Sequence, residues 1–129
     1  WFRKFAELYR PRVKTLIEFI EEFGIFMSDE VAYNEEAVEK FLKKGNVSDI
    51  LSMTKKRLEK MDSFTHENIE KESRALIEEL KIESADLIHP LRVAVTGKAV
   101  SAGVFEVLAL LGKDKVIKRL ENILKAKTA

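Results

Sequence analysis

The residues able to carry bond-making chemistry are few. His66 and His89 are the two histidines, and there is no cysteine. Neither histidine belongs to a two-histidine metal spacing or sits beside a serine or cysteine nucleophile, so both read as structural or exposed side chains. The acidic pairs Glu21-Glu22, Glu35-Glu36 and Glu78-Glu79 are adjacent in sequence. On a helix, neighbours diverge by about 100°, so these pairs do not face one another as an acid and a base. Gly97, Gly103 and Gly112 are too widely spaced for a phosphate-cradling loop, and no Gly-Lys-Ser/Thr run follows a strand. What stands out is Pro90-Leu91-Arg92-Val93-Ala94-Val95-Thr96-Gly97, where one arginine is embedded in an apolar stretch. A cation placed there either pairs with a buried carboxylate or reaches out to a ligand, and the residues alone leave both open.

The elements that must position these groups read as helices. Apolar residues recur at helical spacing almost throughout, and glycine and proline are scarce. Pro11 as a first helical residue, followed by Val13, Leu16, Ile17 and Ile20 and a stop at Gly24, predicts a helix over 11–23. Asn34 caps a second helix with Ala37, Val38, Phe41 and Leu42, ended by a left-handed turn at Gly45-Asn46. Ser48 caps a third through about Lys60, and Thr65 a fourth carrying Ile69, Leu76, Ile77 and Leu80. The segment 87–97 is read as helix, its β-branched residues notwithstanding, with Pro90 beginning or kinking it. Ser101 caps the next helix, with Val104, Phe105, Leu108 and Leu111, which stops at Gly112. A last helix carries Val116, Ile117, Leu120 and Leu124. The fold class is all-α, a helical array of two packed subdomains, 1–33 and 34–129, divided at the polar interruption near Glu30 to Asn34.

Composition narrows the partners. With 35% charged residues and no apolar run near the roughly 20 residues a bilayer helix needs, the chain is expected to be soluble, without a membrane. The absence of cysteine permits a reducing cytoplasmic setting. It opens on Trp1 inside a helical pattern, which fits an internal segment of a longer protein. A net charge of +1 gives no strong overall field, so binding to a polyanion must come from local patches. Residues 1–16 and 113–127 are basic and 66–86 acidic. Each run alone reads as a solvated helix face, but two basic segments meeting in space would favour phosphate binding.

Taken together, Pro90 to Gly97, Ser101-Ala102-Gly103-Val104-Phe105-Glu106-Val107-Leu108, Leu110-Leu111-Gly112-Lys113 and Lys118-Arg119-Leu120 resemble the C-terminal signature of bacterial-type glutamyl-tRNA synthetases (glutamate–tRNA ligases). Upstream, Arg10-Pro11-Arg12-Val13-Lys14-Thr15-Leu16 with Glu18-Phe19 resembles the first anticodon-binding subdomain of the same family. The resemblance implies a helical cage around the anticodon, with 1–33 ending the first subdomain and 34–129 forming the second. The family's His-Ile-Gly-His and Lys-Met-Ser-Lys-Ser type signatures do not occur. The fragment is therefore expected to be non-catalytic and without a cofactor of its own. ATP and Mg would belong to a catalytic domain of the same chain upstream of Trp1. The implied partner is tRNA(Glu), bound by a cytoplasmic monomer.

Carried over by position, the first two anticodon bases fall to Arg92 with Ser101, Ala102, Gly103 and Val104. A helix N-terminus at Ser101 would offer free N–H groups and a hydroxyl, and Gly103 would let an unstacked base approach the main chain. The family often has Thr-Pro-Gly-Leu here, so the apolar platform is smaller and more flexible in this chain. Arg12, expected in the first turn of its helix, matches the position that inspects the third base, cytosine in glutamate tRNA and guanine in glutamine tRNA. Cytosine offers acceptors to an all-donor guanidinium, whereas guanine presents donors. This implies an enzyme that discriminates against glutamine tRNA; whether Arg12 and Arg92 face one cavity depends on how the two subdomains are oriented, which the residues leave open. The alternative from another class is a helical protein–protein interaction module.

Overall fold

The computed structural model of the chain describes residues 1–28, 30–43, 45–99 and 101–128, with side chains through Lys125. The described residues contain eight α-helices and no strand: α1 Phe2–Tyr9, α2 Leu16–Met27, α3 Glu35–Ala37, α4 Val47–Glu59, α5 His66–Leu80, α6 Ser84–Thr96, α7 Val104–Leu111 and α8 Lys113–Thr128. The short α3 runs directly into a single π-helical stretch, Val38–Leu42.

Local chemistry sets most boundaries. Thr65 accepts from the Asn68 N–H and starts α5, and Asn34 accepts from the Ala37 N–H and starts α3. Gly97 and Gly112 take positive φ angles of 79° and 89° and end α6 and α7. Lys81 does the same for α5 at φ 55°, the sole non-glycine residue with positive φ among those described. Pro90 lies inside α6, where its missing N–H leaves the Asp86 carbonyl without the usual helical donor.

Other boundaries differ from expectation. The predicted helix over 11–23 is displaced: Pro11 to Lys14 form a turn, and α2 starts after Thr15, whose hydroxyl accepts from the Glu18 N–H at 3.1 Å. Pro11 has no N–H to continue α1, and Thr15 supplies the cap instead. Gly24 does not stop α2, which runs through to Met27. Gly45 is not left-handed, and α4 begins at Val47 rather than after Ser48.

The core fills between α4, α5, α6, α7 and α8, with α4 against α8 and α6, and α5 against α7. Leu51, Leu58, Ile69, Leu87, Leu91, Val93, Val95, Leu108 and Leu120 are all buried there. A second cluster is aromatic. Trp1, Phe5 and Tyr9 recur every four residues, so one face of α1 meets Phe19, Phe23 and Phe26 of α2. Ring separations of 5.0–5.9 Å put each such pair in the range worth about 0.5–1.5 kcal/mol beyond area burial.

Residues 1–33 are fastened to the rest mainly through main-chain carbonyls. Trp1 Nε1 donates to Leu110 and the Tyr33 hydroxyl to Ala94. The buried Arg119 guanidinium donates to Val95 at 2.6 Å, Ile25 at 2.7 Å and Ser28 at 2.8 Å, closing the C-terminal ends of α6 and α2. Lys115 reaches the Phe26 carbonyl and Lys113 that of Met61. The C-terminal basic run therefore does not join the N-terminal one as a phosphate surface through these residues, since three of its cations serve internal carbonyls. The side chain of Lys127, counted in that run, lies outside the described residues. In the acidic run, Glu72 and Glu79 pair with Arg57, and Glu70 pairs with Arg74.

Candidate nucleic-acid interface

The turn that joins α1 to α2 carries Arg12. Its N–H and that of Val13 both donate to the Tyr9 carbonyl, at 2.9 and 3.1 Å, which folds the chain tightly back behind α1. Arg12 is thus presented by a turn, not by the first turn of a helix. Its exposed guanidinium has no hydrogen-bond or ion-pair partner among the described residues. Beside it opens a cleft of about 720 Å³, bordered by Pro11, Arg12, Phe64, His66, Glu106 and Leu110. That volume lies within the roughly 300–1,000 Å³ typical of small-molecule sites.

Arg92 projects from α6. Its Nε donates to the Ser101 hydroxyl at 3.0 Å, and that hydroxyl donates to the Ala102 carbonyl at 2.7 Å. Of the two readings left open for this cation, pairing with a buried carboxylate is not what the structure shows. Burial pulls its pKa down from the ordinary value, and proximity to Tyr9 opposes that. It remains a cation near neutrality, as guanidinium groups in proteins do. Its terminal amino groups have no protein partner among the described residues and are available as donors.

Ser101 does not cap a helix. α7 starts at Val104 after Gly103, because the Ser101 hydroxyl is committed to Arg92 and Ala102. Ala102 and Val104 are buried, so the platform exposes mainly Ser101 and Gly103. A Cβ added at Gly103 would stand 3.0 Å from a Glu106 oxygen, the movable end of a side chain that also borders the Arg12 cleft.

Tyr9, whose carbonyl holds the Arg12 turn, was not singled out from the sequence. It is 3% exposed, its ring stacked on Phe5 and edge-on to Phe26. Its hydroxyl lies close enough to Arg12, Arg92 and Glu22 to feel all three charges. Burial, reinforced by Glu22, pushes its pKa up to about 12. Glu22 is held by Lys98 at 3.1 Å. Both arginines, eighty positions apart in sequence, thus lie within electrostatic range of one tyrosine hydroxyl. No pattern of spacing could have marked Tyr9, since what distinguishes it is burial within electrostatic range of Arg12, Arg92 and Glu22.

A family model described as an anticodon binding domain matches residues 1–124. The chain belongs to that family. Among curated relatives, this anticodon-binding domain is 39% identical over 116 residues to the glutamate–tRNA ligase of Syntrophobacter fumaroxidans, covering 90% of the chain and 25% of the relative. It is 34% identical over 123 residues to that of Bacillus subtilis, again covering 25% of the relative. The domain therefore spans about a quarter of the length of these relatives. A glutamate tRNA ligase from Elizabethkingia meningosepticum superposes with a TM-score of 0.86 at 18% identity, covering 95% of the domain and 24% of that chain. At that identity the likeness speaks for the fold. Among the described residues, no helix is long and apolar enough to cross a membrane, and no group of histidine, cysteine or carboxylate side chains is placed to hold a metal.

Proposed function

We propose that this domain reads the anticodon of tRNA(Glu) for a monomeric, cytoplasmic glutamate–tRNA ligase, and that Arg12 selects cytosine at the third anticodon base. The observation that carries the reading is the exposed Arg12 guanidinium on its turn together with the Arg92–Ser101 pair, the donor groups left over on both arginines having no protein partner among the described residues. Arg12 donates to the O2 and N3 acceptors of cytosine, and guanine offers donors there instead. Such a mismatch typically costs about 1–3 kcal/mol. Arg92, Ser101 and Gly103 contact the first two bases, against a floor made by Ala102 and Val104. ATP, Mg and the attachment of glutamate belong to the remaining part of the longer enzyme.

The test compares binding of glutamate-tRNA and glutamine-tRNA anticodon stem-loops to the wild-type domain and to Arg12→Gln. The expected result is a preference for the glutamate stem-loop that largely disappears in the variant. An unchanged preference refutes the role of Arg12.

A second reading is favoured by α2, where Leu16, Ile17 and Ile20 are 73%, 69% and 60% exposed. An uncovered apolar stripe of this kind suits a protein contact. We assign it to the remaining part of a longer polypeptide, since the relatives are about four times as long. This contact and anticodon reading are compatible. Binding of RNA should weaken steeply with salt, while the apolar contact should not.

A further inference from the structure

The cleft beside Arg12 is shared with α7, whose first turn contributes Glu106 to it. This carboxylate is exposed and makes no hydrogen bond or ion pair among the described residues, Arg12 included. A cation and an anion thus border one space without pairing with each other. The same carboxylate stands beside the segment assigned to the first two bases, since a Cβ built at Gly103 would lie 3.0 Å from Glu106 Oε1. Glu7 and Glu67 also border the cleft. Glu67 lies 3.1 Å from His66 Nε2, and Glu7 belongs to α1, on the same arm as Arg12. Phe64, half-buried, adds an aromatic ring of the kind on which bases stack.

The chemistry of the third base explains what an acceptor would do there. With the sugar held at one end, the pairing edge of cytosine runs acceptor O2, acceptor N3, donor N4. Guanine, in the same sense, runs donor N2, donor N1, acceptor O6. A guanidinium satisfies O2 and N3 of cytosine and leaves the N4 amino group without a partner. We propose that Glu106 is a second specificity-determining residue for the third base, its carboxylate accepting from cytosine N4 while Arg12 donates to O2 and N3. The inference rests on the third-base reading of Arg12 above and deepens it. In that arrangement guanine is opposed twice, its N1 and N2 donors against Arg12 and its O6 acceptor against Glu106. Uracil is opposed as well, because O4 replaces the amino group.

The experiment measures the affinity of this chain for glutamate-tRNA anticodon stem-loops with cytosine, pyrimidin-2-one or guanine as the third base. Pyrimidin-2-one keeps O2 and N3 and lacks only the amino group. The readout is the ratio of affinities, because removing a carboxylate also relieves repulsion of phosphates, and that effect is common to all three RNAs. The wild-type chain should prefer cytosine to pyrimidin-2-one by about three- to thirtyfold, the scale of one hydrogen bond to a charged group. Glu106→Ala should bring that ratio close to one and weaken, without abolishing, the rejection of guanine. Glu106→Gln, whose amide oxygen still accepts, should keep part of the preference. An unchanged ratio in Glu106→Ala overturns the role of Glu106, as does a ratio that Glu7→Ala or Glu67→Ala removes instead. In either case, guanine rejection that depends on Arg12 leaves the anticodon reading standing. A merely structural role would lower the thermal midpoint and the affinity for all three RNAs alike, and that result also overturns the proposal. Equal binding of the three stem-loops by the wild-type chain overturns both the proposal and the reading beneath it. Glu106→Ser, too short to reach the base, replaces the alanine variant should that one not fold.

Discussion

Arg119 Nη2 donates to the Ile25 carbonyl at 2.7 Å across ninety-four residues of sequence. Together with Ser28 and Val95, this makes one buried guanidinium the cap of two helix ends. Replacing it with methionine would strand these carbonyls away from water. Arg119→Met is expected to destabilise the domain by about 3 kcal/mol or more, and Arg119→Lys by less, as judged by urea denaturation. A loss under about 1 kcal/mol for the methionine variant, the scale of a surface change, would show that water replaces the missing donors.

Gly97 and Gly103 should respond oppositely to alanine. A Cβ at Gly97 would lie 2.3 Å from the Ala32 carbonyl oxygen, at a φ of 79° that L side chains seldom adopt. Gly97→Ala is expected to cost about 2–3 kcal/mol. At Gly103 the nearest obstacle is the tip of Glu106, so Gly103→Ala should fold normally yet bind the anticodon stem-loop more weakly. Parallel thermal melts and RNA titrations separate the two outcomes.

Lys81 ends α5 in the left-handed conformation at φ 55°, and its N–H bonds back to Glu78 at 3.2 Å. Glycine adopts that conformation without steric penalty. Lys81→Gly should therefore stabilise the domain by up to about 1 kcal/mol, less the extra freedom of glycine in the unfolded chain. A drop in melting temperature would contradict this.

Tyr9 and Tyr33 both have pKa values raised to about 12, first of all by burial. Because the folded-state values lie above the ordinary 10, the neutral hydroxyls favour the folded state fully below pH 10, and that contribution is lost as pH climbs toward 12. The urea midpoint should fall across this window. Tyr9→Phe and Tyr33→Phe should each flatten the decline, and an identical alkaline profile in both variants would count against the assignment.

The caps at Asn34 and Thr65 were legible because a side chain and an N–H three residues away settle them. The helix expected over 11–23 was not placed correctly: the apolar rhythm of Val13, Leu16, Ile17 and Ile20 carries no information about which polar residue starts it, and Thr15 rather than Pro11 does so. Periodicity also marked those positions as amphipathic without saying what covers them. Ser101 illustrates the other limit. Its hydroxyl suits a cap by type, but Arg92 claims it from nine residues upstream. Arg92 stood out as the lone cation of an apolar stretch and Arg12 through resemblance, whereas Tyr9, Phe64 and the inward-facing Arg119 depend on contacts that only the fold creates.

The bonds from Trp1 to Leu110 and from Arg119 to Ile25 and Ser28 also bear on the order of assembly. During synthesis α1 and α2 leave the ribosome well before the helices that hold them. Their aromatic rings can close on one another early, but the bonds that fasten the pair to the rest must wait through the translation of nearly a hundred residues. Hence α1 and α2 should dock last, after the central helices have packed. Slow elongation through α7 and α8 would prolong the interval in which the nascent chain is vulnerable to chaperones, proteases and its own neighbours.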